Sequence, residues 1–317
     1  MYSRGVSTSV GSQLVVVVVA VAVAVAVGAC RDAKSVDADR SAALFDRVTI
    51  DTGGIHGLSG LALDERGAIW TVAERGQTAY RVELEATHVR AVERLAVVGL
   101  PPGEDMESAA VLPGGDLLVG TEGNARGLAR LFRLRRDGER LQVIGEPITI
   151  DEADAGIAVG ANHGAEAACA VGELVAVALE TAGKDDGGRW APLVVVDLAT
   201  GARDGHRVRL RTATGKLSGL DCWRDGDVVR AVAIERHFEV TQLVTFELPA
   251  AGAAATDIPT SLLLDLGPAL RGALNLEGIV RFPDGRLVAV VDNQYRTITG
   301  PDELLVFKPL PAPLPAP

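Results

Sequence analysis

Acidic side chains recur along this sequence where short apolar runs begin and end. Glu107, Glu122, Glu166, Glu180, Glu235, Glu277 and Asp292 occupy such places, with Glu74 at the equivalent place nearer the N-terminus. Carboxylates brought close together repel one another and their pKa values rise unless cations offset the charge. A cluster of hard oxygen donors suits Ca²⁺, with Mg²⁺ or another divalent ion as the alternative. The seven are therefore candidate ligands of a metal that neutralises substrate charge and activates water. The plainer reading is structural: a carboxylate at the start of a strand accepts backbone N–H bonds from its neighbour and fixes their geometry. That reading weighs more at Glu180 and Glu235, whose flanking runs are less symmetric.

Histidines stand three residues before two of the runs, His56 before Ser59 and His163 before Glu166. Each is a candidate general base, or an ordinary turn residue. Arg75 and Arg236 directly follow Glu74 and Glu235, and are candidates to grip an anionic substrate group such as phosphate, or to pair with the acids beside them. Asn124, Asn162, Asn275 and Asn293 flank the same carboxylates and offer neutral oxygens or turn chemistry, and Arg126 and Arg296 lie close by. No Walker loop, nucleophile elbow, zincin helix or EF-hand loop is present.

Such residues act together only if the chain positions them together. Asn275 to Asn293 reads as a β-hairpin: two apolar runs flank Asp284-Gly285, a strong two-residue turn signal. Glu277 and Asp292 are equidistant from the turn, so a two-residue loop sets them opposite each other. The unit repeats from Ser59, Glu107, Glu166, Ser218 and Glu277, with steps of 48, 59, 52 and 59 residues. A period of this size filled with short strands predicts an all-β fold, a β-propeller of four-stranded blades. Five repeats are detected and six blades remain possible. In such a ring the first strand of each blade lines the channel, and the repeated carboxylates converge on one mouth of it. The fifth repeat lacks a fourth strand, and the orphan run Phe45 to Ile50 can supply it, closing the ring by pairing of the N- and C-terminal strands. The long connection Ala182 to Trp190 reads as a lid or a disordered insertion, and no convincing helix follows the leader.

Four stretches divide the chain: residues 1–29 as signal peptide, 30–43 as lipidated Cys and flexible tether, 44–308 as the propeller, and 309–317 as a Pro-rich tail. The run Leu14 to Val27 is too short to span a bilayer and ends in small residues. Val27-Gly28-Ala29-Cys30 resembles a bacterial lipobox, which makes Cys30 the lipidation site of an exported, membrane-anchored protein facing the periplasm or the cell surface. The leader holds one base, leaving 31 − 1 = 30 basic and 42 acidic side chains, net −12. So acidic a chain argues against nucleic acid or anionic lipid as partners; the membrane contact is the lipid alone, and a monomer is expected. Cys169 and Cys222 remain; one bridge is open to them in an oxidising compartment, but both sit in apolar runs where a buried thiol is commoner.

The order of motifs is more specific than any one of them. Gly57 to Leu61 with Glu74-Arg75, Asp105 to Glu107 with Glu122 to Asn124, His163 to Glu166 with Leu179-Glu180, Leu217 to Leu220 with Glu235-Arg236, and Asn275 to Gly278 with Val291 to Asn293 together resemble the phytase-like domain family of bacteria. That resemblance covers nearly all of residues 45 to 308. It implies an exported propeller and Ca²⁺-dependent phosphoester hydrolysis, with a small anionic substrate. Ser59 and Ser218 depart from the acidic pattern. Two alternatives stand beside this reading: a lactonase-like hydrolase using one divalent ion, and a non-catalytic scaffold lipoprotein whose channel carboxylates are structural.

Overall fold

The computed structural model describes residues 37–122, 127–161, 163–238, 240–294 and 300–309. The leader, Cys30, the tether before Asp37 and the Pro-rich tail from residue 310 lie outside them, as do Asn124, Arg126, Asn162 and Arg296.

Helix α1 (Ala38–Leu44) leads into strand β1 (Phe45–Thr49). Blade one contains β2 (Leu58–Leu63), β3 (Ile69–Ala73), β4 (Thr78–Glu85) and β5 (His88–Val98). Blade two contains β6 (Asp105–Val111), β7 (Leu117–Glu122), β8 (Ala129–Asp137) and β9 (Arg140–Ile150), followed by the one-turn helix α2 (Glu152–Ala155). Blade three is built from β10 (Ala165–Val171), β11 (Leu174–Leu179), β12 (Gly183–Asp185), β13 (Gly188–Asp197) and β14 (Arg203–Arg209). Blade four is built from β15 (Lys216–Asp225), β16 (Val228–His237), β17 (Val240–Leu248) and β19 (Ser261–Asp265), then α3 (Gly267–Leu270), while the short β18 (Asp257–Ile258) before β19 pairs parallel with β14 at the edge of blade three. Blade five is β20 (Asn275–Arg281), β21 (Leu287–Asp292), β22 (Glu303–Phe307) and, in the outermost place, β1. The first and last strands pair antiparallel from Phe45 with Phe307 to Thr49 with Glu303, as the orphan run predicts.

The described residues thus form five blades, with no strands for a sixth. The inner strands β2, β6, β10, β15 and β20 each pack on the next, and β20 returns to β2. Apolar side chains are divided among five layers, one between each pair of neighbouring blades. A strand sandwiched between two such layers is buried on both faces, so inner strands read as apolar runs rather than alternating ones. The inner strands also approach one another closely. A Cβ on Gly278 would lie 2.6 Å from the backbone nitrogen of Leu61, and one on Gly60 2.6 Å from that of Ala109, so glycine is required at both places.

Two features differ from the sequence expectation. The turn at Asp284-Gly285 is a three-residue loop: Phe282 N–H donates to Arg286 O at 2.8 Å, Gly285 N–H returns to Phe282 O at 2.9 Å, and Gly285 has φ 87°. This is the alternative hairpin in which a glycine in the left-handed region ends the turn. Each inner strand also carries a β-bulge near its channel-mouth end. In blade five Asn275 pairs with Asp292, Leu276 with Val291 and Gly278 with Val290, leaving Glu277 without an opposite residue. Glu107, Glu166 and Ser218 occupy the same unpaired place in blades two, three and four, and Gly60 in blade one. Glu277 and Asp292 are therefore not a facing pair. One residue in the turn and one in the bulge have shifted the register.

Three further expectations are corrected. Part of the stretch read as tether is the helix α1, capped by the Asp37 side chain and anchored where Asp37 N–H donates to Ala269 O at 2.8 Å. The Ala182–Trp190 connection is the β12–β13 hairpin, and Trp190 is buried with the Arg207 guanidinium over its ring. Cys169 and Cys222 are joined as a disulfide, with Cα atoms 5.7 Å apart, between the inner strands of blades three and four.

Candidate functional site at the channel mouth

Strand direction decides which residues share an end of the ring. Each inner strand starts at the mouth and its partner returns there, so Glu107, Glu166 and Glu277 near strand starts join Glu74, Glu122, Glu180 and Asp292 at returning ends. The bulges give this clustering its local cause, because they free Glu107, Glu166 and Glu277 from the regular pleat at the place where the strands converge. All three are buried.

The two halves of the mouth differ in charge. Blade four, which has Ser218 where others have an acid, supplies two cations instead. Lys216 Nζ donates to Glu166 Oε1 at 2.9 Å and also to Glu180 Oε1, both on blade three. Arg236 reaches the other way, donating from Nη2 to Glu277 Oε1 and from Nε to Leu276 O at 3.0 Å, with Nη2 also 3.7 Å from Glu166 Oε1. Asn275 Nδ2 bridges Glu277 Oε1 at 2.7 Å and Asp292 Oδ2 at 2.8 Å, so a neutral amide joins the acids that sequence symmetry paired directly. Ser59 and Ser218, the two departures from the acidic pattern, donate to the carbonyls of Glu107 and Leu276 on the next blade at 2.6 and 2.7 Å.

Negative charge exceeds positive here, and the carboxyls show it. Burial, reinforced by Asp292, Glu277 and Glu166, pushes Glu74 up to about 8 against the pull of Arg75. Burial likewise takes Glu277 to about 8 despite Arg236, and Glu122 to about 7 with help from Glu180 and Glu166. Glu107 is driven well above its ordinary range by burial and by Glu166, Glu74 and Glu122. Burial works to lower Lys216, but Glu166, Glu277 and Glu180 hold it above its usual value.

The remaining sequence candidates are placed as follows. Glu235 is fully buried but committed elsewhere: Oε2 accepts Arg211 N–H at 2.9 Å, and Oε1 accepts Thr212 N–H at 2.8 Å and its hydroxyl at 2.5 Å. It holds the loop before β15, which is the structural role. Arg75 is exposed at the rim beside Glu74, and His163 is exposed between blades two and three. His56 faces Asp302, a residue the repeat pattern did not single out because it lies outside the inner hairpins. Lys216 carries no repeat signal either: it is the first residue of β15, and no other inner strand begins with a cation. A separate cavity of about 390 Å³, lined by Arg66, Arg81, Glu83 and Arg90, lies at the turn end of blade one and contains none of these residues.

A divalent cation can be tested against this arrangement. The donor type and the unneutralised charge fit a hard cation on the side of Glu74, Glu107, Glu122 and Asp292. Among the described residues no three acidic, His or Cys side chains converge on one point, so direct coordination there requires side-chain rotation or bridging water.

A family model described as phytase-like, esterase-like activity of phytase, matches residues 53–297. None of the curated proteins matches the sequence. Among solved structures, an exo-β-1,3-galactanase from Phanerochaete chrysosporium aligns with TM-score 0.50 and 9% identity, over 82% of this chain and 64% of that one. This chain thus spans just under two thirds of the galactanase. An aldose sugar dehydrogenase from Streptomyces coelicolor with bound PQQ aligns with TM-score 0.47 and 16% identity over 84% and 98% of the two chains. Virginiamycin B lyase from Staphylococcus aureus gives 0.41 and 10% over 84% and 99%. At 9% identity the likeness to the galactanase speaks for the fold alone.

Proposed function

This chain belongs to the phytase-like family, and from that premise we propose that it is an exported phosphoester hydrolase whose site is the carboxylate-lined channel mouth. One observation carries the reading: Glu74, Glu107, Glu122, Glu166, Glu180, Glu277 and Asp292 gather around only two partly buried cations among the described residues, Lys216 and Arg236. An anionic substrate enters such a mouth only if added positive charge offsets the excess acid. Glu74, Glu107, Glu122 and Asp292 would hold a divalent cation, Ca²⁺ by donor type, which when bound supplies that charge and polarises a phosphoryl oxygen. Lys216 and Arg236 keep the facing acids neutralised and set a positive wall opposite, with Arg75 at the rim to meet the substrate's anionic group. The buried walls exclude bulk water and so strengthen each of these charge interactions.

The Cys169–Cys222 disulfide supports export, since bridges persist in oxidising compartments. Lipid attachment at Cys30, on the membrane face of the periplasm or cell surface, is proposed from the lipobox. The test is phosphate release from phytate and p-nitrophenyl phosphate by the purified chain, with Ca²⁺ and with chelator. Metal-dependent release that is lost in Glu107→Gln supports the proposal, and its absence overturns it.

A second reading has its own observation. Lys216 and Arg236 tie blade four to blades three and five through buried ion pairs, which would hold a non-catalytic scaffold together equally well. Under it, Glu107→Gln alters melting and no reaction.

A further inference from the structure

Where the two ends of the chain meet, a buried carboxylate stands behind an exposed imidazole. His56 Nδ1 lies 3.1 Å from Asp302 Oδ2, and the two side chains are 54% and 3% exposed. Asp302 is held firmly: Thr52 donates its hydroxyl to Oδ2 at 2.5 Å, and Asn293 donates Nδ2–H to Oδ1 at 2.9 Å. Thr52 is fixed in turn, since Tyr80 donates its hydroxyl to the Thr52 carbonyl at 3.0 Å. The backbone at His56 is clamped on both sides. Gln294 donates its side-chain amide to the His56 carbonyl, and Asn293 Oδ1 accepts Gly57 N–H at 3.0 Å.

These contacts lead to the mouth. Asn293 and Gln294 directly follow Asp292, and Gln294 N–H donates to Asp292 Oδ1 at 2.8 Å while Asn275 donates to Oδ2. His56 is thus fixed to the acidic half of the mouth through one residue's bonds. A carboxylate accepting from Nδ1–H holds a neutral imidazole in one tautomer, with the lone pair on Nε2. Blade closure alone does not call for this arrangement. Thr52 and Asn293 already tie Asp302 across the seam, and His56 adds an oriented, solvent-facing base.

We infer that His56 is the proton-transferring residue of the hydrolytic site and that Asp302 is its positioning residue. The inference rests on the hydrolase reading above. As the oxygen of water bonds to phosphorus, its O–H bond breaks and the proton passes to His56 Nε2. The ester P–O bond breaks, the departing alkoxide takes a proton from solvent, and His56 returns its own to solvent. Asp302 remains ionised and stabilises the imidazolium that forms.

The experiment uses the full chain with Ca²⁺ and p-nitrophenyl phosphate. His56→Gln should lower kcat by about a hundredfold or more, the size expected of a general base, with little change in KM or melting. Added imidazole should restore part of the turnover in His56→Gly. Nitrogen NMR of the wild-type chain should show His56 fixed with its proton on Nδ1, and Asp302→Asn should release that tautomer and lower kcat. Wild-type turnover in His56→Gln, or a His56 ring that populates both tautomers in the wild type, overturns the inference. A fixed tautomer in a chain that releases no phosphate overturns the hydrolase reading and the catalytic role of His56 together, and leaves Asp302 only as the orienter of the ring.

Discussion

Arg236 on β16 and Glu277 on β20 form a buried ion pair between blades four and five, with the same guanidinium also held by the Leu276 carbonyl. Position in the repeat relates neither partner to the other: Arg236 lies next to the end of a returning strand and Glu277 sits in a bulge of the next blade.

Removing one partner leaves the other charge stranded in a poorly solvated place. Above pH 8, where Glu277 is ionised, Arg236→Met should destabilise the fold by about 3 kcal/mol or more, measured by urea unfolding at pH 9. Adding Glu277→Gln to the same chain should recover a large part of that loss, because the stranded carboxylate is gone. Equal stability of the single variant and wild type would show that the pair is not buried as described.

Acidity should matter to the metal-free chain in a definite direction. Glu74 and Glu277 titrate near 8 in the fold against an ordinary value of 4.5. The unfolded chain therefore gives up these protons first as pH rises, and the fold is the more protonated state. Their contribution to stability is whole below pH 4.5 and is lost as pH climbs through 8. Melting in chelator should fall steadily from pH 5 to pH 9, less steeply in Glu277→Gln, and Ca²⁺ should flatten the slope by favouring the ionised carboxylates. A chelated protein that melts alike at both ends of this range would contradict the crowding of these acids.

Calcium itself should raise the melting temperature of the wild type, since a ligand that binds only the folded chain stabilises it by mass action. Glu107→Gln should abolish most of that shift. Glu235→Gln should lower the starting melting temperature, because two backbone N–H groups and a hydroxyl lose their ionised acceptor, yet leave the calcium shift intact. Loss of the shift in both variants would place Glu235 among the ligands.

The disulfide closes a separation of 53 residues, for which restriction of the unfolded chain predicts about 4 kcal/mol of stability. The Cys169→Ala, Cys222→Ala double variant should show most of that loss in denaturant, and reducing agent should have no further effect on it.

Sequence alone carried the ring a long way. The spacing of Ser59, Glu107, Glu166, Ser218 and Glu277 marks five inner strands, and Phe45 to Ile50 marks the strand that closes the ring, because hydrophobic runs and turn residues are local signals. Two of the inner hairpins close on two-residue turns, Gly172-Glu173 and Gly226-Asp227. What escaped was register. Pro283-Asp284-Gly285 supports a two- or a three-residue loop, and nothing in the composition of Glu277-Gly278 announces a bulge, since its cause is the crowding of five strands at one axis. For the same reason the partnership of Glu166 with Lys216, across a blade boundary, could not be read from either repeat by itself. Asp302 was hidden differently, because it belongs to the connection before the last strand, where no pattern recurs. For Cys169 and Cys222, burial and bridging make the same demand on an apolar strand, so the sequence does not separate thiols from a disulfide.

Strand β1 finds its place in a sheet only beside β22, and Arg47 meets Glu303, 256 positions further along the chain. A ribosome delivers the earlier strand first and its companion last, so four blades can be assembled while the opening segment still waits without a mate. Blade five is completed from both directions at once, after translation has passed Phe307. Nearly all of the polypeptide must therefore be free before the circle can shut.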